Sequence, residues 1–515
     1  MLKNERVLLA GLLAAAGALY LGTFHWFYVG FFNDDAGFVL SARALWQGRY
    51  VLLQIPGQPP MSHFQPGYPL FLMPFLKFAG PRWALLKGLS IALTLLSSGL
   101  LWSLLRGWFS PWARLGATAL LALNPVMAVY SGAVLSDPLF LTQVLLILVL
   151  MRRALERETF GRAIGLGLAM AWAALTRPVG AILVPSVCLG LLWGRRFRLL
   201  GASLAPPLLI DGSFWLRNVR LAGTPTDYLL FFKGSLLGLA DPRLLAANAW
   251  QTLWTLCATA FQWPGLSAWP RWGQCLFILA SLSAAGAGFL SLSQRRAVRP
   301  ELLLTVGVFA VAYGVVLTLW SAGTERYALP LLPSVIVFSV EGGRAWIARR
   351  PWKRYAGAAA LALLIFGDAA QSATLLSAQG LRPSSPGIRF PAESLAWIRD
   401  RTSPEDVFLY RASLIYLYAG RRGFGGLAAR DAEQMRNRLR RGPVRYVWIQ
   451  DAQMAMSVRG KGAGFLDQEG AYEQVRGWIL ERPDVFPCVY RNPAEGVSIY
   501  QVLPDPPNAS RRRNA

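Results

Sequence analysis

The sequence has few charged residues, two histidines and four scattered cysteines. Only 15% of its 515 residues are charged, 54% are hydrophobic, and the mean hydropathy is +0.37. Soluble domains average about 25% charged residues, so this composition excludes a wholly water-soluble chain. His25 and His63 are the only histidines, and they do not have the spacing of metal ligands. The cysteines (Cys188, Cys257, Cys275 and Cys488) contain no CxxC pair and indicate neither a zinc site nor a disulfide framework.

Long apolar runs predict an α-helical membrane protein with about 11–13 spans, since about 18 apolar residues are enough to cross a bilayer. The runs are 7–24, 85–105, 115–130, 134–151, 163–176, 179–193, 199–216, 272–292, 302–320, 327–340 and 355–370. Two moderately apolar stretches, 228–240 and 246–263, either both span or both lie in the interface. The first run lacks a small-x-small cleavage site, so we predict a retained span rather than a signal peptide.

Basic residues outnumber acidic ones by 52 to 27, and they cluster between the apolar runs. This pattern is typical of topology signals rather than of nucleic-acid binding, because cytoplasmic loops of membrane proteins are enriched in Lys and Arg. Each dense cluster falls on the same side of the predicted membrane. We therefore predict a cytoplasmic N-terminus and an outer C-terminal domain, periplasmic or extracellular. The abundance of Arg and Ala suggests a bacterial inner membrane.

Composition changes along the chain predict three regions. Residues 1–375 form the membrane domain with an outer loop at 26–82, residues 376–504 form a small α/β domain, and residues 505–515 form a disordered basic tail. In the outer loop, 36–47 has helical spacing and is either an amphipathic surface helix or an ordinary loop helix. The α/β domain is predicted to contain helices 392–401 and 467–482 and strands 407–410, 446–449, 488–491 and 497–502.

Ionisable and polar side chains collect at the predicted outer ends of the spans: Asp34, Asp35, His63, Asp137, Arg177, Arg217, Asn218, Glu325, Arg326 and Tyr327. Such groups are costly near lipid unless they are paired or used, so we predict a polar cavity at the outer face. A carboxylate there can accept a proton from a hydroxyl, and arginines can stabilise a phosphate leaving group. This chemistry fits transfer of a sugar from a lipid phosphate.

Five motifs resemble those of the polytopic GT-C glycosyltransferases, which include protein O-mannosyltransferases and bacterial aminoarabinose transferases. They are NDDAGFV at 33–39, HFQPGYP at 63–69, SDPL at 136–139, LTRP at 175–178 and ERYALP at 325–330. Their order and common side carry the resemblance, which extends from the first span to about residue 333.

The resemblance implies inverting transfer from a polyprenyl-phosphate-linked sugar to a lipid, polysaccharide or protein acceptor. It makes Asp34 the catalytic base and Asp35 a shorter substitute for the usual Glu. It places Asp137 at a second acidic position that shapes the acceptor site or, with Asp34, holds a divalent cation (Mg²⁺ or Mn²⁺). The remaining implied roles are donor-phosphate binding by Arg326, Arg177 and Arg217, and lining of the cavity by His63, Tyr68, Glu325 and Tyr327.

Simpler readings of the same residues stay open. Asp34 and Asp137 suit helix N-caps, Arg177 and Arg217 suit lipid-headgroup anchors, and Glu325–Arg326 suits a structural ion pair. His63 also suits a hydrogen-bonded loop residue, and Asp211, inside a predicted span, requires a buried partner. A lipid or lipid-linked sugar flippase is the rival function; it would place charges near the middle of the membrane and often show repeated halves.

Overall fold

Helices make up most of the computed structural model, which describes residues 2–80, 82–224, 226, 241–262, 265–320, 325–347, 352–377, 389–426, 432–450 and 476–503. The helices are α1 Leu2–Gly22, α2 Asp34–Trp46, α3 Gly67–Ala79, α4 Trp83–Leu104, α5 Pro111–Ala122, α6 Pro125–Ser131, α7 Ser136–Glu156, α8 Phe160–Thr176, α9 Leu183–Trp193, α10 Phe197–Ala222, α11 Pro242–Ala260, α12 Arg271–Ser293, α13 Pro300–Leu319, α14 Leu332–Ile347, α15 Trp352–Ser377, α16 Ala392–Arg401, α17 Ala412–Ala419 and α18 Ala432–Arg441. Short 3-10 helices cover Pro178–Ile182, Leu266–Ala268 and Glu325–Leu331. The strands are β1 Val407–Leu409, β2 Gly423–Phe424, β3 Val444–Gln450, β4 Cys488–Asn492 and β5 Val497–Gln501.

The chain divides into two units. The first comprises Met1–Trp26 and Ser62–Ala378, and the second comprises Phe27–Met61 and Gln379–Ala515. Part of the outer loop therefore belongs to the same unit as the C-terminal domain. The predicted stretch 228–240, the tail 505–515 and most of the predicted helix 467–482 lie outside the described residues, although 476–481 are helical.

The first unit is a multi-pass membrane bundle. Among the described residues, six helices (α1, α4, α7, α10, α12 and α13) are long and apolar enough to cross a membrane, or seven if α5 and α6 count as one bent span. Three shorter apolar helices cover Phe160–Thr176, Pro178–Trp193 and Gly357–Ser372. Every one of the eleven predicted runs lies on one or more of these helices or on α14, and the fold class predicted from the sequence is confirmed.

The predicted span at 115–130 is broken in the structure. Its two halves, α5 and α6, meet at 50°. The Asn124 side chain accepts hydrogen bonds from the backbone N–H groups of Val126 and Met127 at 3.0 and 3.4 Å, and Pro125 is the first residue of α6. Asn is a favoured N-cap and Pro suits the first helical position, so these two residues start a new helix inside one apolar run.

The second unit contains a five-stranded mixed sheet in the order β2-β1-β3-β5-β4. β1 is parallel to β2 and β3, and β5 is antiparallel to β3 and β4. Alternate side chains of β1 and β3 pack on opposite faces, because successive strand residues point to opposite sides: Leu409 and Val447 pack with Leu439 of α18, whereas Phe408 and Trp448 pack with helices α16 and α17. The four predicted strands and the helix at 392–401 are confirmed; β2, α17 and α18 were not predicted.

Residues 35–42 of helix α2 are buried on all sides, so the amphipathic surface helix predicted at 36–47 is wrong. Every side chain from Asp35 to Ala42 is buried, and eight consecutive helical positions face every direction around the axis. The reason is tertiary packing that the local pattern does not encode. Helix α17 of the C-terminal domain contacts α2 within the second unit.

Candidate active site

Asp137 and Arg177 form a buried ion pair in the first unit. Asp137 lies in the first turn of α7, and Arg177 directly follows α8, which packs against α7. Arg177 Nη1 donates to Asp137 Oδ1, and the two side chains are 14% and 3% exposed. The positive end of the α7 dipole also favours the carboxylate. Leu135 is the N-cap of α7 and makes no side-chain cap bond, so the structure does not support N-capping as the reason for Asp137.

Tyr327 brings a second arginine to this ion pair. The centroid of its ring lies 5.1 Å from Arg177 Cζ and 4.9 Å from Arg326 Cζ, distances typical of cation–π contacts. Arg326 Nη2 also donates to the Tyr327 hydroxyl at 2.9 Å. The Tyr313 hydroxyl donates to the Tyr327 carbonyl at 3.0 Å and so holds this segment to α13. Three separate motifs, SDPL, LTRP and ERYALP, thus meet around one phenol ring.

Gly67 of the HFQPGYP motif lies against the end of α8, just before Arg177 in the chain. The Gly67 carbonyl accepts a hydrogen bond from Trp172 Nε1 at 3.3 Å. A Cβ on Gly67 would lie only 2.6 Å from the carbonyl carbon and oxygen of Leu175 and 2.7 Å from Thr176 N. Only glycine therefore fits where α3 begins against the end of α8. The ring of Tyr68 is buried and stacks on Phe71.

Two buried glutamines near this contact were missed by the sequence analysis. Gln65, within HFQPGYP, is 2% exposed, and neither of its amide atoms has a hydrogen-bond partner among the described residues. On α7, Gln143 Nε2 donates to Thr176 Oγ1 at 2.9 Å, while its Oε1 has no such partner. Buried polar groups without partners are costly, so these amides suit an occupant that carries hydroxyl groups. A glutamine inside an apolar helical run was the available signal.

The acidic pair Asp34–Asp35 lies in the second unit at the start of α2. Asp34 is the first helical residue and is half-buried, and the N-cap is Asn33, without a side-chain cap bond. Asp34 therefore does not serve as the N-cap. Asp35 is 1% exposed and accepts hydrogen bonds from the backbone N–H groups of Gly30 at 2.7 Å and Ala36 at 2.9 Å. Burial raises the pKa of Asp35 to about 6, although these hydrogen bonds and Arg411 oppose the rise.

The remaining predicted residues lie in the first unit, whereas Asp34 and Asp35 belong to the second. Arg217 on α10 donates to Asn218 Oδ1 at 2.7 Å and lies over the Phe214 ring. Glu325 is exposed, and the half-buried ring of His63 packs edge-on against Phe64. Asp211 is buried on α10, but its Oδ1 has no hydrogen-bond partner among the described residues, so the expected buried partner is not found there.

The divalent-cation site that the resemblance implies at Asp34 and Asp137 stays a prediction. Within the described ranges, no group of three or more His, Cys, Asp or Glu residues is placed to hold a metal ion. Asp137, one of the two metal-ligand candidates, is ion-paired with Arg177. We therefore derive no catalytic step through a metal ion.

Several solved structures share this fold. ArnT of Cupriavidus metallidurans, bound to undecaprenyl phosphate, aligns over 97% of this chain and 98% of its own, with a TM-score of 0.57 and 13% identity. The Archaeoglobus fulgidus oligosaccharyltransferase, in complex with Zn and sulfate, aligns over 92% of this chain and 71% of its own, with a TM-score of 0.58 and 12% identity. The oligosaccharyltransferase AglB from Archaeoglobus fulgidus, in complex with an inhibitory peptide and a dolichol-phosphate, has a TM-score of 0.56 at 13% identity over 90% of this chain and 72% of its own. The chain has the fold of the GT-C glycosyltransferases.

One family model matches part of the chain. Residues 65–206 match the family described as dolichyl-phosphate-mannose-protein mannosyltransferase. The matched region contains Gln65, Gly67, Asp137, Gln143 and Arg177, which are the residues that the structure brings together around the end of α8. The resemblance to GT-C glycosyltransferases predicted from the motifs is confirmed. The comparison with curated protein sequences found no match.

Proposed function

We propose that this protein transfers a sugar from a polyprenyl-phosphate donor to an acceptor hydroxyl at the outer face of the membrane, with inversion at the anomeric carbon. One observation carries the proposal. Asp137, Arg177 and Arg326, which come from three separate motifs, meet around Tyr327 in a membrane bundle of the GT-C fold. The family match and the neighbours solved with undecaprenyl phosphate and dolichol-phosphate also support a lipid-phosphate donor.

In this proposal, Arg177 and Arg326 bind the donor phosphate. Guanidinium groups donate paired, charge-assisted hydrogen bonds to phosphate oxygens, and these two groups flank the same ring. Asp137 keeps Arg177 in place and lowers the cost of burying its charge. Arg217 is a further candidate for the phosphate. The buried amides of Gln65 and Gln143 bind hydroxyl groups of the sugar, which satisfies their unpartnered atoms.

The reaction needs a base and a stabilised leaving group. Asp34 accepts the proton of the acceptor hydroxyl while the oxygen attacks the anomeric carbon from the side opposite the phosphate. The bond between the anomeric carbon and the phosphate oxygen breaks, and its electron pair leaves with the lipid phosphate, whose charge the arginines stabilise. Both carboxylate oxygens of Asp35 accept backbone N–H groups, so Asp35 supports the start of α2 while Asp34 acts as the base.

The acceptor is a lipid, polysaccharide or protein hydroxyl, and the donor approaches from the membrane lipids. We place the enzyme in a bacterial inner membrane with its C-terminal domain outside the cytoplasm. The basic clusters between the apolar runs support this orientation.

The experiment that tests the proposal is Asp34→Asn in purified protein reconstituted into liposomes. The assay supplies a panel of radiolabelled undecaprenyl-phosphate sugars, with inner-membrane extract as the acceptor source. We expect transfer to fall by roughly 10²–10⁴-fold, the usual contribution of a positioned base, with unchanged thermal unfolding. The matched control is Asp400→Asn, which removes an exposed carboxylate on α16 of the same unit and should retain wild-type transfer.

Two results would contradict the proposal. Wild-type transfer by Asp34→Asn would remove the base from the mechanism. Movement of intact labelled lipid across the liposome membrane, with no transfer product for any donor, would favour a flippase.

A further inference from the structure

Side chains of the C-terminal domain hold the turn that precedes Asp34. Arg411 Nη2 donates to the Gly30 carbonyl at 2.7 Å, and Arg411 Nη1 donates to the Phe31 carbonyl at 3.1 Å. The Tyr418 hydroxyl donates to the Val29 carbonyl at 2.9 Å. Three consecutive carbonyls of the outer-loop segment are therefore bound by two side chains that lie about 380 residues further along the chain, all within the second unit.

The same turn is fixed from its other side. The Gly30 N–H donates to Asp35 Oδ2, so Gly30 is bound through both its carbonyl and its amide. Its φ of +103° favours glycine, and a Cβ there would lie 2.5 Å from Leu414 Cδ1 of α17. Asn33, the residue before Asp34, also has a positive φ of 63°. These constraints fix the path of the chain into the first residue of α2.

Arg411 itself has an unusual backbone. Tyr410 and Arg411 are consecutive non-glycine residues with positive φ, 69° and 52°. Such conformations are unfavourable for residues with a Cβ and persist only where the surrounding structure enforces them. Here the strained pair lies between β1 and α17 and brings the Arg411 guanidinium to the turn.

We propose that Arg411 is a positioning residue for sugar transfer, through which the C-terminal domain holds Asp34 in its catalytic position. The inference rests on the proposed role of Asp34 as base. Arg411 acts through the backbone of the turn and touches no reacting atom. Two charge-assisted hydrogen bonds from one planar guanidinium fix position and orientation together, and a displacement of about 1 Å at a catalytic group can cost roughly 100-fold in rate.

The test compares Arg411→Gly with Arg421→Ala. We call the hydrogen bonds from Arg411 and Tyr418 to the carbonyls of residues 29–31 the clasp. Glycine adopts the positive φ of position 411 without steric cost, so Arg411→Gly removes the Arg411 part of the clasp and also relieves the backbone strain at this position. Arg421 is a matched control: its buried guanidinium donates to the carbonyls of Ala419, Arg399 and Thr402 in the same domain, and none of these belongs to the turn.

We expect Arg411→Gly to lower kcat by about tenfold to 100-fold, with little change in the KM for the donor. Millimolar guanidinium should restore part of this loss. Arg421→Ala should lower the thermal stability of the protein, keep a normal kcat per folded molecule and gain nothing from guanidinium. A purely structural Arg411 would affect folded yield rather than kcat and would show no rescue.

Normal kcat in Arg411→Gly, together with loss of activity in Asp34→Asn, would overturn this inference and leave the proposed function intact. Activity in Asp34→Asn would instead overturn the proposed function. If Arg411→Gly does not fold, Arg411→Lys and Tyr418→Phe test the same clasp with smaller changes. Both should lower kcat measurably, and wild-type kcat in both would overturn the inference.

Discussion

Replacing Gly67 by alanine should disturb the end of α8 and, with it, Arg177. The new Cβ would lie 2.6 Å from the Leu175 carbonyl group, where ordinary contacts begin near 3.4 Å. The two helices must therefore separate locally by about 0.8 Å, because the atoms in the way belong to the backbone and cannot rotate aside. Arg177 follows two residues after Leu175, so the shift reaches the ion pair with Asp137.

The expected cost has two parts. Overpacking a well-packed contact destabilises a protein by about 1–3 kcal/mol. A displacement of about 1 Å at a substrate-binding group can lower the rate by roughly 100-fold, so we expect kcat/KM for sugar transfer to fall by about tenfold to 100-fold. The measurements are transfer kinetics in liposomes and thermal unfolding in detergent.

The matched control is Gly165→Ala, in the middle of α8, where an added Cβ has nothing within 4 Å. In an open helical position alanine is favoured over glycine by about 0.5–1 kcal/mol, so this variant should be as stable as the wild type or slightly more so, with normal transfer. Wild-type stability and kinetics in Gly67→Ala would refute the reasoning, as would equal losses in both variants.

Two further predictions concern buried charges. Asp137→Asn should destabilise the protein by about 3–5 kcal/mol, because it leaves the Arg177 guanidinium buried without its carboxylate; the double variant with Arg177→Gln should lose less than the sum of the two single changes in chemical unfolding, and simple additivity would contradict the pair. Burial raises the pKa of Asp35 to about 6, so between about pH 4 and pH 6 this carboxyl group holds its proton in the folded state and loses it in the unfolded state. The free energy of unfolding of the second unit should therefore fall by about 3 kcal/mol as the pH rises through this range. Hydrogen exchange of the Gly30 and Ala36 amides, corrected for intrinsic rates, should show this loss of protection in the wild type but not in Asp35→Asn, and equal pH dependence in both would refute the assignment.

Local sequence patterns predicted most elements because each depends on neighbouring residues. Apolar runs marked the spans, and short segments rich in β-branched, apolar or aromatic residues marked the strands at 407–410, 446–449, 488–491 and 497–502. The same local reasoning failed where packing between distant segments decides. Helix α17 has an apolar sequence, ASLIYLYA, without a helical stripe, since it is enclosed by α2 and the sheet. The amphipathic interpretation of α2 was wrong for the same reason.

The candidate site was predicted as a set of motifs on one side of the membrane, without their pairings. The ion pair between Asp137 and Arg177 joins residues 40 positions apart, and the contact of Gly67 with Leu175 depends on how α3 docks against α8. No periodicity records either contact. The contact of Arg411 with the turn could not be predicted from the sequence. Its partners are backbone carbonyls, which no side-chain pattern marks, and its backbone adopts a left-handed conformation that is rare for arginine.

The clasp between Arg411 and the turn also determines when, during synthesis of the chain, the segment before Asp34 can be fixed. Gly30 and Arg411 are 381 residues apart, and a ribosome adding 5–20 residues per second needs roughly 20 to 80 s to make that length of chain. During that interval the nascent polypeptide gains most of its helices but still lacks Arg411, the residue that in our proposal positions Asp34. If Arg411 positions the base as proposed, sugar transfer begins only after the C-terminal domain has emerged and folded.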